Sequence, residues 1–181
     1  MHKKLNLKNL NIDKSWSLFL DRDGVINVRL VDDYVKNIEE FRFLSGVVEA
    51  ISKFSQVFGR VFIITNQQGI AKNLMTEQDL NIIHNHMLEQ IRQAGGKIDA
   101  IYFCPHFKDE GCDCRKPKIG SALKAQQDFP EVDFNRSIMV GDTSTDMKFG
   151  ENAGMHNILL SSDENDEYFT VKSLKELADM L

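Results

Sequence analysis

The feature that most limits the fold of this chain is a repeated pattern, in which a short apolar run ends at a polar residue and an amphipathic stretch follows. Ser17 to Leu20 stops at Asp21, and Val61 to Ile64 stops at Thr65. Short apolar runs of this kind are typical of buried parallel strands. Further strands are predicted at Ile98 to Phe103, Ile138 to Val140 and Asn157 to Leu160.

The amphipathic stretches predict helices between these strands. Val47, Ile51 and Phe54 recur at helical spacing, whereas Thr76 resembles the N-cap of a second helix that Gly95 would end. Alternating strands and helices predict an α/β fold, a three-layer, doubly wound parallel sheet that binds ligands at the carboxyl ends of its strands. Further helices are predicted at Ile119 to Phe129, Asp146 to Ala153 and Val171 to Leu181.

Composition narrows the class of protein. The 181 residues suit a single domain, residues 1–181, in which residues 1–14 form a polar N-terminal extension. A net charge of -5 and the lack of a clustered basic run beyond residues 115–118 argue against a nucleic-acid partner. No apolar stretch is long enough to cross a membrane. The three cysteines, an odd number, fit a cytoplasmic protein, and we expect a monomer.

Two acids follow the first predicted strand directly. Asp21 and Asp23 are two residues apart in an extended segment, so both side chains can point into one cleft. Two close carboxylates repel each other unless a cation lies between them, and a magnesium ion would suit this role. An ordinary Asp/Gly turn or a calcium loop would explain the same residues.

Polar residues at later strand ends extend this pattern. Thr65 and Asn66 could hold phosphate oxygens, although a capping turn would look the same. Lys116 could neutralise both a carboxylate and a phosphate, or belong to a solvated basic turn. Asp142 could complete a magnesium site. Asp146, four residues further on, could be a lesser ligand or a helix N-terminal acid.

All four signals occur in order, each after a strand-like run. From Leu18 to Leu160, the series D-x-D-G, Thr-Asn, Lys-Pro and G-D-x-x-x-D resembles the haloacid-dehalogenase (HAD) superfamily of phosphatases. The resemblance implies a HAD-type Rossmann-like fold, and the short distance between Asp23 and Thr65 leaves no room for a large cap domain. It also implies magnesium-dependent hydrolysis of a small phosphorylated metabolite.

The resemblance assigns a role to each motif residue. Asp21 would attack the phosphorus and become an aspartyl-phosphate, and Asp23 would act as general acid and base. Asp21 and Asp142 would coordinate magnesium through their side chains, and Asp23 through its backbone carbonyl, leaving its carboxyl free to move protons. Thr65 and Lys116 would stabilise the transferred group, and Asp146 would lie in the second shell of the metal.

A cysteine cluster predicts a second metal. Cys104, His106, Cys112 and Cys114 form a compact set of the type that binds structural zinc, within an inserted loop at residues 104–114. The alternatives are buried cysteines that behave as small apolar residues, or a disulfide with one spare thiol. The remaining histidines, including His84, are interpreted as structural or solvated.

Chains that join these motifs to such a loop resemble two sister families. One comprises heptose 1,7-bisphosphate phosphatases and the other histidinol-phosphate phosphatases. The segment from Asp33 to Val47 and the loop from Thr65 to Ala71 favour the first family, while the short gap between His106 and Cys112 favours the second. By resemblance, Arg115 would recognise substrate, and Asp33 and Tyr34 would line the pocket. Thr143 stands where these families often have a basic residue.

Other classes of protein remain open from the sequence. A phosphate-binding module without turnover, a receiver-type signalling domain, or a phosphotransferase of the same superfamily would share some of these residues. A receiver domain would need neither Asp23 as an acid nor the zinc loop, and an uncapped site open to water favours hydrolysis over transfer. The exact substrate and its anomer are not determined by these patterns.

Overall fold

A computed structural model describes residues 7–181 and contains a six-stranded sheet in which every neighbouring pair runs parallel. The strand order is β3-β2-β1-β4-β5-β6. The strands are β1 Ser17–Leu20, β2 Arg60–Asn66, β3 Ala100–Cys104, β4 Ser137–Gly141, β5 His156–Leu160 and β6 Phe169–Val171.

Helices cover both faces of the sheet. Leu18 and Leu20 of β1 belong to one apolar cluster, whereas Phe19 between them belongs to another, because successive side chains in a strand point to opposite faces. The helices are α1 Val47–Val57, α2 Glu77–Gln93, α3 Gly120–Asp128, α4 Ser144–Ala153 and α5 Leu174–Asp179. The first cluster packs α1, α2 and α5, and the second packs α3 and α4. The three-layer prediction is therefore confirmed.

The order of the strands determines where the polar strand ends meet. Leu20 pairs with Ile63 of β2 on one side and with Val140 of β4 on the other. The chain leaves β1 towards β2 and β3, then crosses back to β4, which makes the edge beside β1 a topological switch point. The residues after β1, β2 and β4 therefore surround one place.

The connection from β1 to β2 contains a 3₁₀ turn, Ile38–Glu40, and helix α1. Within the described part of the chain this connection holds no further domain, as expected for a protein without a large cap. None of the helices in residues 7–181 is long and apolar enough to cross a membrane.

The C-terminal prediction was partly wrong. Val171, which was predicted to start the last helix, instead ends the edge strand β6, and α5 begins after Ser173, whose side chain accepts a hydrogen bond from Glu176 N. The three residues of β6 were too few to stand out as an apolar run. At the other end, residues 1–6 lie outside the described part of the chain. From Leu7 onward the extension contributes apolar side chains to the core, namely Leu7, Leu10 and Ile12.

Candidate active site

The carboxyl ends of the central strands surround a cleft of about 410 Å³. The lining combines acids, bases and small polar groups from separate loops, which matches the position expected for a ligand site in a parallel sheet. Among the lining residues are Asp21, Asp23, Arg29, Thr65, Asn66, Arg115, Lys116, Thr143 and Asp146.

Lys116 links two of the predicted acids. Its side chain is 2% exposed, and its Nζ donates to Asp21 Oδ1 and to Asp146 Oδ1, each at 2.6 Å. A third bond goes to the carbonyl of Ile64 at 2.9 Å. Burial alone would lower the pKa of Lys116, but the two carboxylates hold that pKa above its ordinary value. Lys116 is therefore a fixed cation beside Asp21.

Asp21 lies at the end of β1 and is almost fully buried. Burial raises its pKa to about 7, against the lowering effect of Lys116, and the neighbouring charge of Asp146 adds to the rise. A further cation near Asp21 would oppose this rise and favour the ionised carboxylate that acts as a nucleophile.

Asp146 uses both of its carboxylate oxygens within the protein. Oδ1 accepts from Lys116, and Oδ2 accepts from the backbone and hydroxyl of Thr143 in a capping box at the start of α4. A side chain in place of Gly141 would overlap the Asp146 carboxylate. Asp146 therefore positions Lys116 through Oδ1, and its place in the second shell of a metal stays a prediction.

The acids also form a possible cation site. Carboxylate oxygens of Asp21, Asp142 and Asp146 lie within 4.8 Å of one another. Burial raises the pKa of Asp142, with Asp146 acting in the same direction and Arg29 opposing it. Hard oxygen donors with a surplus of negative charge fit magnesium.

Arg29 contacts the same group of oxygens, and sequence reasoning did not single it out as a site residue. Its Nη2 lies 3.0 Å from Asp142 Oδ1, 2.9 Å from the backbone carbonyl oxygen of Asp23 and 3.8 Å from Asp21 Oδ2. These oxygens belong to the residues that the family resemblance predicts as magnesium ligands. The guanidinium thus marks the point on which they converge.

The side chain of Asp23 does not have the freedom that was expected. Its Oδ1 accepts from Arg22 and Asn27, each at 2.9 Å, and its Oδ2 accepts from Gln67 at 2.8 Å. Burial alone would raise the pKa of Asp23, but the Arg22 charge and these hydrogen bonds hold it below its ordinary value. Asp23 lines the cleft as an ionised, tethered carboxylate, and it would have to leave these donors to act as an acid.

A buried pair behind Asp23 was missed from the sequence. Arg22 is fully buried, and its Nη1 lies 3.1 Å from Nε2 of His84 on α2. Burial and, to a lesser extent, the Arg22 charge lower the pKa of His84 to about 3, with the Asp23 charge acting in the opposite direction. The burial of Arg22 could have been predicted, because it lies between two acids that face the cleft and strand alternation directs its side chain inward. A buried charge needs partners.

The last two residues of β2, Thr65 and Asn66, act mainly on other residues of the site. Thr65 is buried at the cleft, and its Oγ1 accepts from Gln67. Asn66 was predicted to bind substrate, but its side-chain amide pairs with the backbone N–H and carbonyl of Lys116 at 3.1 and 3.3 Å. Asn66 therefore anchors the segment that carries Lys116, although it also lines the cleft.

The remaining predicted substrate residues fall in two places. Arg115 lines the cleft, and its Nη1 donates to the carbonyl of His106 at 3.3 Å. Asp33 and Tyr34 do not line this cleft: Asp33 pairs with Lys36 at 2.6 Å, and the Tyr34 ring packs beside Gly69. Their loop folds onto the segment after β2, a contact between distant segments that sequence spacing does not reveal.

The structure brings the four side chains of the cysteine cluster together, with their ligand atoms within 4.8 Å of one another. Cys104 Sγ lies 2.7 Å from Cys114 Sγ and 3.5 Å from Cys112 Sγ, and His106 Nδ1 lies 3.2 Å from Cys114 Sγ. The three thiols are free of disulfides. Three sulfur ligands and one imidazole suit zinc. Four protein ligands would leave no coordination position on the metal free for a substrate.

Comparison with known proteins places this geometry among phosphatases. A family model described as HAD-hydrolase-like matches residues 113–177. The chain is 41% identical over 168 residues to the D-glycero-alpha-D-manno-heptose-1,7-bisphosphate 7-phosphatase of Campylobacter jejuni, covering 93% of this chain and 95% of that protein. It is 35% identical to the corresponding beta-anomer enzyme of Helicobacter pylori J99, covering 91% and 96%.

A solved structure shares the same architecture. The D,D-heptose 1,7-bisphosphate phosphatase from B. bronchiseptica, complexed with magnesium and phosphate, superposes with a TM-score of 0.83 at 32% identity. The match covers 91% of this chain and 97% of that one. The similarity is therefore not confined to a short motif but extends over most of both chains.

Proposed function

The chain belongs to the D-glycero-D-manno-heptose 1,7-bisphosphate 7-phosphatase family of HAD-type hydrolases, and from that membership we propose that it removes the C7 phosphate of this sugar in heptose precursor synthesis. The observation that carries the chemistry is the buried Asp21 carboxylate, held 2.6 Å from Lys116 at the floor of the cleft. A carboxylate so placed can act as a nucleophile towards a phosphoryl group that enters from solvent.

We propose that magnesium is held by the side chains of Asp21 and Asp142 and by the backbone carbonyl of Asp23. The surplus negative charge of these residues supports the assignment, as does the magnesium in the B. bronchiseptica relative. When bound, magnesium withdraws charge from the phosphoryl oxygens. Lys116 compensates part of the negative charge from the opposite side of Asp21.

The reaction has two steps. In the first step, an oxygen of Asp21 attacks phosphorus, the bond from phosphorus to the sugar oxygen breaks, and Asp23 protonates that oxygen. In the second step, water attacks phosphorus, gives its proton to Asp23, and the bond to Asp21 breaks. Because Arg22, Asn27 and Gln67 hold Asp23 as an ionised carboxylate, its side chain must leave these donors and take up a proton from solvent before it can protonate the sugar oxygen. The proton taken from water in the second step restores this protonated form.

We propose zinc for the Cys104–Cys114 loop, with a structural role. The loop carries Arg115 and Lys116 at its end, so the metal would fix the segment that supplies both cations to the cleft. Reduced thiols suit a cytoplasmic enzyme.

The proposal is tested by measuring phosphate release from both anomers of heptose 1,7-bisphosphate and from histidinol phosphate. We expect kcat/KM to be highest for a heptose bisphosphate and to require added magnesium. Both anomers are needed because the relatives include enzymes named for each. A strong preference for histidinol phosphate would contradict the substrate assignment but not the chemistry, whereas no release from any ester would contradict both.

A further inference from the structure

Arg29 is placed where a metal and a guanidinium would compete for the same oxygens. It donates to the charged carboxylate oxygen Asp142 Oδ1 at 3.0 Å and to the backbone carbonyl oxygen of Asp23 at 2.9 Å. A guanidinium offers several donors in a fixed plane, so it can bridge acceptors that would otherwise need a cation between them. Lone pairs that accept from Arg29 are not available to another cation.

The local charges favour such a contact. Asp21, Asp142 and Asp146 come together around one buried counter-charge, Lys116, so the cluster keeps a negative surplus. Arg29 supplies a second positive charge to the side that Lys116 does not reach. Close carboxylates without such a charge would repel each other and raise their pKa values further.

The backbone next to Arg29 is held in place by hydrogen bonds, whereas the Arg29 side chain is long and partly exposed. Val28 N donates to the carbonyl of Arg42 at 2.8 Å, and Asn27 is buried and bonded to Asp23. The Arg29 side chain itself is 43% exposed, unlike the buried Lys116. It can therefore swing into solvent without disturbing the backbone that carries it.

We infer that Arg29 is an internal counter-cation, which holds the metal-ligand oxygens together when magnesium is absent and must be displaced when magnesium binds. This inference rests on the proposed magnesium site. It makes magnesium binding an exchange of one cation for another rather than the filling of a repulsive pocket. The apparent affinity of the site for magnesium is therefore weaker than it would be without Arg29, because the Arg29 contacts must first be broken.

The test compares Arg29→Met with Arg42→Met, in which an exposed arginine of the same connection, bonded to the carbonyl of Phe41, is changed. Magnesium binding is measured by calorimetric titration of zinc-loaded protein in the absence of substrate. The protein is first exchanged into magnesium-free buffer, because a chelator would also remove the zinc. We expect Arg29→Met to bind magnesium about fivefold more tightly, Arg29→Lys to be intermediate, and Arg42→Met to match the parent.

Thermal unfolding provides a second readout. Arg29→Met should melt at a lower temperature than the parent in magnesium-free buffer, and the difference should vanish at saturating magnesium. An unchanged or weaker magnesium affinity, or an equal loss of melting temperature under both conditions, would overturn the inference and leave the proposed function standing. Failure of the parent itself to bind magnesium would overturn the metal site and, with it, the inference.

Discussion

Lys116 shows how much of the site depends on one side chain. It is buried with bonds to two carboxylates and one carbonyl, so each of its donors has a partner. Removing one member of such a group leaves buried charges without compensation, which costs far more than the net value of the ion pairs. Structure and chemistry are therefore coupled at this residue.

Lys116→Met should lower the free energy of unfolding by about 3–5 kcal/mol, because Asp21 and Asp146 would be left buried without a cation. Lys118→Met is the matched control, since Lys118 lies in the same segment with a half-exposed side chain, and its change should stay within about 0.5 kcal/mol. Urea unfolding measures both variants. Equal, small effects would contradict the structural role of Lys116.

His84 should make stability depend on pH. Its pKa is lowered by burial to about 3 in the folded protein, so between that value and about 6.5 the unfolded chain binds a proton that the native protein does not. The stability that neutral His84 supports is complete above pH 6.5 and is lost as the pH falls. Unfolding free energy should drop by about 2 kcal/mol more between pH 7 and pH 5 in the parent than in His84→Gln. Parallel pH curves would show that His84 is not buried as a neutral group.

At the scale of residues, the sequence predicted the side-chain positions that follow from strand alternation. It did not predict the contacts that depend on distant segments of the chain. The meeting of Asp21 and Asp23 at one cleft followed from their spacing alone. The tethering of Asp23 did not, because Gln67 comes from after β2 and Arg22 is held by His84 of α2. Such partners depend on tertiary packing, which no local pattern encodes.

At the scale of elements, tight turns bring the acids together. Gly24 has φ 97°, and a side chain at this position would collide with the Asp142 carboxylate. Gly154, the C-cap of α4, has φ 79° with open space around it. The two glycines share the backbone requirement but differ in what surrounds them.

Gly24→Ala and Gly154→Ala should each lose about 1 kcal/mol of stability from backbone strain. The Gly24 variant alone should also lose magnesium affinity, since the added methyl group displaces Asp142. Calorimetric titration with magnesium, paired with urea unfolding, separates the two effects. Equal magnesium affinity in both variants would mean that Asp142 does not need its present position.

Element boundaries were predictable where capping chemistry was visible. Thr76 does start α2 with a capping box, and the strands end at the predicted residue or one or two residues after it, as β2 does at Asn66. The edge strand β6 was missed because its three residues form neither a long apolar run nor a clear alternation. Its place is determined by pairing with β5, which is a property of the sheet rather than of the segment.

At the scale of the whole molecule, the sheet and the cysteine loop each contribute residues to the cleft. The switch point beside β1 gathers the acids, and the loop from Cys104 to Cys114 brings in Arg115 and Lys116 from one side. The stability of this loop should therefore affect both substrate recognition, through Arg115, and the nucleophile, through Lys116.

Cys112→Ser should remove zinc and lower the melting temperature, because the remaining ligands bind a metal more weakly. Loss of kcat/KM should follow even below the melting transition, since Arg115 depends on the His106 carbonyl for its position. Metal analysis after purification without chelator gives the zinc content of parent and variant. Parent protein that lacks zinc yet keeps its full stability would contradict the structural zinc site.

The measurement that tests the proposed chemistry most directly is a rapid-quench search for phosphorylated Asp21. The enzyme is mixed with heptose bisphosphate and magnesium, stopped in acid, digested and analysed by mass spectrometry, with Asp21→Asn as the control. A phosphoryl group on the peptide that contains Asp21, absent in the variant, is the expected result. Phosphate release with inversion at phosphorus and no covalent peptide at any time would contradict the role of Asp21 as nucleophile.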